Sequence, residues 1–250
     1  MPPDAQLPQV PVDRAALVAR DLEGKRGAAL LDAALRHPLV GKTAVVSSFG
    51  AEAAVLLHMV AQVAPHTPVL FLDTQMLFPE TLDYQRALAD ELGLSDVRVL
   101  RARALDLARA DPANLLHKSD PDACCALRKT APLDRALAGF GSWMTGRKRF
   151  QSGTRAALPV VEETGRHLKI NPLADWSATD VRVYFEREGL PRHPLVAQGY
   201  PSIGCAPCTS AVRPGEDARA GRWRGAEKEE CGIHIVNGRL VRGPQARVSR

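Results

Sequence analysis

The stretch Thr43-Ala44-Val45-Val46-Ser47-Ser48-Phe49-Gly50-Ala51-Glu52, running on through the apolar residues to Val63, decides the fold. Thr43 to Ser48 is a short β-branched run, long enough for a buried strand and too short for a helix. Phe49-Gly50 breaks it, and Ala51 to Val63 follows as a strongly apolar helical stretch. The unit then repeats in kind. Pro68 to Asp73 reads as a second buried strand, and Pro79 to Leu92 as its helix, with proline at the first helical position. Val97 to Leu100 is a third strand, Trp143 to Gly146 ends a fourth, and His167 to Ile170 offers a fifth.

Strands alternating with helices pair in parallel through crossover connections. The expected fold class is therefore α/β, an open, mostly parallel twisted sheet with helices on both faces. Ligands of such sheets bind beyond the carboxyl ends of the strands. Ser47-Ser48-Phe49-Gly50, Asp73-Thr74 and Thr145-Gly146-Arg147 all converge on that edge. The expected organisation is a disordered N-terminus over 1–12, one α/β domain over 13–209, and a mobile segment over 210–250 rich in Arg, Gly and Glu. Helical spacing of apolar residues from Asp13 to Leu35, interrupted near Gly24 and Gly27, precedes the first strand.

The 250 residues carry 45% hydrophobic and 24% charged side chains, ordinary for a soluble globular protein. No stretch approaches the ~20 apolar residues of a membrane span, and the first residues lack the pattern of a secretory signal. A cytoplasmic location and no membrane partner follow as expectations. The net charge of +5 favours an anionic partner. With only 5% aromatic residues and no basic–aromatic interleaving, a nucleotide or oxyanion suits it better than a nucleic acid. Oligomeric state is not legible, and a homo-oligomer is compatible with the composition.

Four of the five cysteines fall in two close pairs, Cys124-Cys125 and Cys205-Ala206-Pro207-Cys208; Cys231 stands alone in Glu-Cys-Gly-Ile-His. In a reducing compartment, paired cysteines are metal ligands or catalysts more often than disulfides. Two pairs can complete a tetrahedral S₄ set for zinc or an iron–sulfur cluster. Adjacent cysteines are unusual around one zinc, whereas a cluster offers separate iron corners. Lys129 follows Cys125 by one helical turn. Cys231 has a glycine-flanked setting in which Lys228, His234 and Arg239 favour the thiolate while Glu229 and Glu230 oppose it.

Ser47-Ser48-Phe49-Gly50-Ala51-Glu52 has the composition of a phosphate cradle at a helix N-terminus. It lacks the Walker pattern, and the same serines would serve as helix caps. Leu72-Asp73-Thr74 and Phe78-Pro79-Glu80-Thr81 fit a capped helix or a nucleotide loop. Arg147-Lys148-Arg149, Arg155, Arg213, Arg219, Arg222 and Arg224 are clustered cations suited to an oxyanion or to a solvated face.

Together these residues resemble the assimilatory adenylyl-sulfate (APS) reductases, relatives of the PAPS reductases and of the PP-loop, ATP-pyrophosphatase-like enzymes. The resemblance runs from about Thr43 to His234. It is carried by SSFGAE (47–52), LDTQMLFPET (72–81), CCALRK (124–129), TGRKRFQSGTRAALP (145–159), GCAPC (204–208), RAGRW (219–223) and ECGIH (230–234). It implies a PP-loop sheet and thioredoxin-dependent reduction of APS to sulfite and AMP through an S-sulfocysteine on Cys231. Cys124, Cys125, Cys205 and Cys208 match the ligands of one [4Fe-4S] cluster, with Lys129 linking it to the substrate. Ser47, Ser48, Gly50 and Glu52 fall in the phosphate loop, and Leu72, Asp73 and Thr74 against the adenosine. Arg149, Arg155, Arg219, Arg222 and His234 are the groups expected around the phosphosulfate. PAPS reductases resemble the rest but lack the two pairs, and remain the alternative enzyme; a zinc-bearing nucleic-acid-binding module is the alternative outside enzymes. Two positions depart from the family pattern, Gln75 where glycine is common and Phe150 where an acid is common.

Overall fold

A computed structural model describes residues 13–225 and two short strands at 235–236 and 239–240. The chain opens with α1 (Arg14–Asp21) and α2 (Gly27–Arg36), followed by β1 (Thr43–Ser47), α3 (Ala53–Val63), β2 (Val69–Leu72), α4 (Pro79–Glu91) and β3 (Val97–Leu100). Next come α5 (Ala104–Ala110), α6 (Leu116–Ser119), α7 (Pro121–Cys125), a π-helical turn (Ala126–Thr130) and α8 (Ala131–Leu137). Then β4 (Ser142–Met144), β5 (Val161–Thr164), β6 (His167–Ile170) and α9 (Ala178–Arg187) complete the body. The last pair, β7 (Ile235–Val236) and β8 (Arg239–Leu240), is antiparallel.

The six-stranded sheet has the order β3-β2-β1-β4-β6-β5. Every pairing is parallel except that of β5 with β6. The expected α/β class is thus realised, with one addition. Val161-Glu162-Glu163-Thr164 forms an antiparallel edge strand returning through Gly165, whose φ of 61° suits glycine. No helix among the described residues is long and apolar enough to cross a membrane.

Strand alternation sorts the core into two layers. Val45, Val69, Phe71, Met144 and Ile170 point to the face covered by α1–α4 and α9, where Leu31, Leu57, Leu88 and Phe185 are also buried. Ala44, Leu70, Leu72 and Trp143 point to the opposite face and meet Leu133 and Leu137 of α8. Caps fix the helix starts. Asp13 accepts the Ala16 N–H at α1, and Ser177 and Asp180 form a reciprocal capping box at α9.

Beyond residue 209 the described chain returns to the body. Ser210 N–H donates to the Gly221 carbonyl, and Trp223 N–H donates to that of Cys208 at 3.0 Å. A bridge between Thr209 and Arg222 closes this loop against the Cys205–Cys208 turn. Glycine is required where it closes, because a Cβ on Gly221 would run into the Ser210 carbonyl, a backbone group that cannot swing aside.

Candidate functional site

A cleft of about 260 Å³ opens beyond the carboxyl ends of β1, β2 and β4. The loop after β1 reaches it through a strained backbone. Phe49 has φ 48°, its ring is fully buried edge-on to Phe71, and Ser47 Oγ accepts its N–H. A left-handed non-glycine residue held by packing on both sides is stored strain of the kind found at binding loops. The serines do not cap α3, because Glu52 occupies the N-cap position without a side-chain bond. Ser47, Ser48, Gly50 and Glu52 instead line the cleft.

Among the described residues, six cations and a single carboxylate face this space: Lys129, Arg147, Lys148, Arg155, Arg219 and Arg222 against Glu52. Lys148 is 1% exposed and donates to Glu52 Oε2 at 2.8 Å and to the Gly146 carbonyl at 3.0 Å. Burial pushes the Lys148 ammonium below its ordinary pKa, and Glu52 opposes that shift. Gln151 also donates to Glu52 Oε2, at 2.7 Å, and accepts from Arg155. Glu52 is thus the counter-ion and tether of the basic loop, so its place in the cleft is structural as well as lining. Arg222 stacks over the Trp223 ring, and its buried Nε has no partner among the described atoms.

Several expected residues take other places. Asp73 is 4% exposed and absent from the cleft lining; its Oδ1 accepts the Gln75 N–H and its Oδ2 binds Arg101. Leu72 and Thr74 on either side do line the cleft, so the strand end presents its alternate residues. Arg149 turns outward, donating to the Leu158 carbonyl and Asp175, while Arg147 and Lys148 face inward. Exposed Phe150 follows it. Gln75 adopts φ 60°, the left-handed conformation that favours glycine. Cys231 and His234 lie outside the described residues.

The two cysteine pairs meet at a second, smaller cavity, which all four line. Cys124 and Cys125 end α7 where the chain passes into a π-helical turn, a widening frequent at functional sites. Lys129 therefore follows Cys125 through a π turn and not the expected α turn, and it lines both cavities. The Cys-x-x-Cys turn hangs on the loop after β2. Ala206 N–H donates to the Met76 carbonyl at 2.7 Å, and Leu77 bridges Cys205. Burial raises the Cys124 thiol; nearby Arg128 lowers it, while Cys205 and Cys208 raise it further.

These residues fit an iron–sulfur cluster chemically. The set is four sulfurs, three of them under a tenth exposed. Two buried nitrogens of the cavity wall, His117 Nδ1 and Arg128 Nε, have no partner among the described atoms, as donors awaiting acceptors would. Among the described residues no three acidic, cysteine or histidine groups close on a point as ligands of one metal ion. Arg128 itself is buried, donating to the Thr74 carbonyl, Asp111 and Asn114. Thr74, Lys129, Cys205 and Trp223 line both cavities and form the wall between them, with Thr74 Oγ1 3.2 Å from Cys205 Sγ. His117 was not singled out from the sequence; Trp223 stood only within RAGRW (219–223), and Arg147 only within the undivided basic run 147–149. Their role comes from long-range packing, with no local spacing to mark it.

Comparison with known proteins agrees with this geometry. The phosphoadenosine phosphosulfate reductase domain matches residues 42–211. The chain belongs to that family. A member named adenosine 5′-phosphosulfate reductase, from Mesorhizobium japonicum, is 52% identical over 82% of this chain and 81% of its own. One named phosphoadenosine 5′-phosphosulfate reductase, from Gloeobacter violaceus, is 41% identical over 91% of this chain and 97% of its own. Among solved structures, the PAPS reductase of Candida auris, a phosphate complex, superposes with a TM-score of 0.66 at 26% identity, covering 84% of this chain and all of that one. The superposition extends the likeness from sequence to the mostly parallel sheet.

Proposed function

We propose that this chain reduces adenosine 5′-phosphosulfate to sulfite and AMP, with Cys231 as nucleophile and a dithiol of the thioredoxin kind as reductant. The observation that supports it most is the wall of Thr74, Lys129, Cys205 and Trp223 shared by the basic cleft and the four-thiol cavity. A thiolate approaching a sulfur whose three terminal oxygens share a negative charge meets like-charge repulsion. Cations on those oxygens relieve it as the transition state forms. Lys129, Arg147, Arg155, Arg219 and Arg222 face the cleft for that purpose.

The reaction divides into two displacements. The Cys231 sulfur bonds to the sulfuryl sulfur as the bond to the phosphate oxygen breaks, and AMP leaves with that electron pair. A thiolate of the dithiol then attacks Cys231 Sγ and sulfite departs with the pair of the sulfur–sulfur bond. The second thiol resolves the mixed disulfide, so two electrons pass from dithiol to substrate sulfur. Cys124, Cys125, Cys205 and Cys208 would hold one [4Fe-4S] cluster. When bound, it supplies rigidity to its segments and an electrostatic field on the substrate side. A reducing cytoplasm, where such cysteines remain available, belongs to the same proposal.

Mass spectrometry of anaerobically purified protein after APS addition tests this reading. The added sulfite mass belongs on the Cys231 peptide, and Cys231→Ser should keep its brown colour yet form no adduct. An adduct in that variant refutes the assignment. The Gloeobacter and Candida auris relatives named for PAPS favour a second substrate reading. Sulfite release with the two nucleotides in competition decides between them.

A further inference from the structure

Glu162 lies on the edge strand β5, outside every motif that marks the family resemblance, yet it meets the cleft through Arg147. The Arg147 guanidinium binds Glu162 Oε1, and its Nη2 donates to Asn171 Oδ1 at 3.1 Å. Its Nε lies 3.3 Å from both Thr145 Oγ1 and Asn171 Oδ1. The acceptors are themselves held. Thr145 Oγ1 donates to Asn171 Oδ1 at 2.7 Å, and Asn171 Nδ2 donates to the Pro159 carbonyl at 2.9 Å and to Glu162 Oε1 at 3.2 Å. Glu162 also faces the ammonium of Lys169 at 3.6 Å, a side chain 1% exposed that lies over the Trp143 ring. One carboxylate thus sits between two cations, one lining the cleft and one buried beneath it.

A long, flexible arginine at a cleft edge has many rotamers, and a substrate must fix one of them. A carboxylate behind the guanidinium fixes it beforehand, which lowers the cost of binding an anion in front. We propose that Glu162 is a positioning residue that aims Arg147 at the anionic end of the nucleotide substrate. The inference rests on the reductase reading above. It predicts the opposite of simple charge neutralisation. If Glu162 only diluted the positive field, removing its charge would tighten anion binding.

The test measures APS binding by calorimetry in a Cys231→Ser parent, where no adduct forms, with sulfite release measured separately in the wild type. Glu162→Gln should weaken APS binding about tenfold, as expected for losing one charge-assisted hold, and Glu162→Asp should restore most of it. In the wild-type background the Glu162→Gln loss should appear in KM, with kcat within about twofold. In an Arg147→Ala background, itself weakened, Glu162→Gln should add less than about twofold, because the arginine it aims is gone. A general folding defect would persist in that background. Unchanged or tighter binding by Glu162→Gln overturns the proposal, as does a full tenfold loss without Arg147, or no loss in Arg147→Ala. A parent that binds APS while the wild type releases no sulfite sinks the reductase reading alone; a parent that does not bind APS overturns both.

Discussion

Replacing Arg128 by Met isolates the ion pair that supports the wall of the cysteine cavity. The two side chains are 5% and 2% exposed, with Arg128 Nη2 2.8 Å from Asp111 Oδ2. The same guanidinium donates to the Thr74 carbonyl at 3.0 Å and to Asn114 Oδ1 at 2.6 Å. Methionine approximates the volume and supplies no donor, so a buried carboxylate loses its countercharge and two acceptors lose their partners. Breaking a buried pair from one side costs about 3–5 kcal/mol. In a chain of this size about 2–4 °C of melting temperature accompanies each kcal/mol, so Arg128→Met should fall by roughly 6–20 °C. Circular dichroism melts under anaerobic conditions measure it. Adding Asp111→Asn should recover a large part, because a neutral amide no longer needs the countercharge. The pH dependence gives a second sign. Burial alone raises the Asp111 carboxyl, and the hydrogen bonds from Arg128 and from the Leu116 and Leu115 N–H groups reverse it to below 3.8. The wild-type contribution is therefore present above 3.8 and lost as pH falls through the lower folded value. Without Arg128 the burial effect dominates, so the deficit should be largest at neutral pH and shrink on acidification. A melting shift under about 2 °C, or no recovery in the double variant, would refute the reasoning.

His193 and Cys205 provide independent checks. His193 is 1% exposed; its Nδ1 accepts the Leu195 N–H, and its Nε2 meets Thr81 Oγ1. A proton on Nδ1 would displace the first bond, and burial pushes the imidazole down to about 4, against 6.5 ordinarily. The unfolded chain takes the proton first, so stability should be full above 6.5 and fall as pH drops towards about 4. His193→Asn should flatten that slope in melts between those limits, and an unchanged slope assigns it elsewhere. Cys205→Ser should lose iron and brown colour together, since one of the four proposed ligands is gone; iron per chain equal to that of the wild type would remove Cys205 from the ligand set.

The sheet was readable because its central strands are apolar on both faces. Val69-Leu70-Phe71-Leu72 is buried at every position, so its sequence is a plain hydrophobic run bounded by turn residues. β5 left no such signal, since an edge strand reading Val-Glu-Glu-Thr is half solvent-facing, and its pairing appears only when β6 folds back on it. Short α5 to α7 carry too few residues for periodicity to declare itself. At the site, the cysteine pairs were legible from spacing alone. The basic loop was not: Arg147, Lys148 and Arg149 look alike in sequence, and which of them turns inward depends on Glu162, Glu52 and Asp175, contributed from elsewhere in the chain. Asp73 misleads for a similar reason. Beside a nucleotide loop a carboxylate suggests ribose, but Arg101 and the Gln75 N–H already occupy it.

The fastening of Trp223 to Cys208 sets a leash. Cys231 comes eight residues after that anchor, and an extended chain gains at most about 3.6 Å per residue, so its Cα lies within roughly 29 Å of a wall of the cleft. Confinement to such a sphere equals a local concentration on the order of 10 mM. For the nucleophile proposed above, that exceeds what a separate chain at micromolar abundance supplies, so the cleft would draw on its own polypeptide.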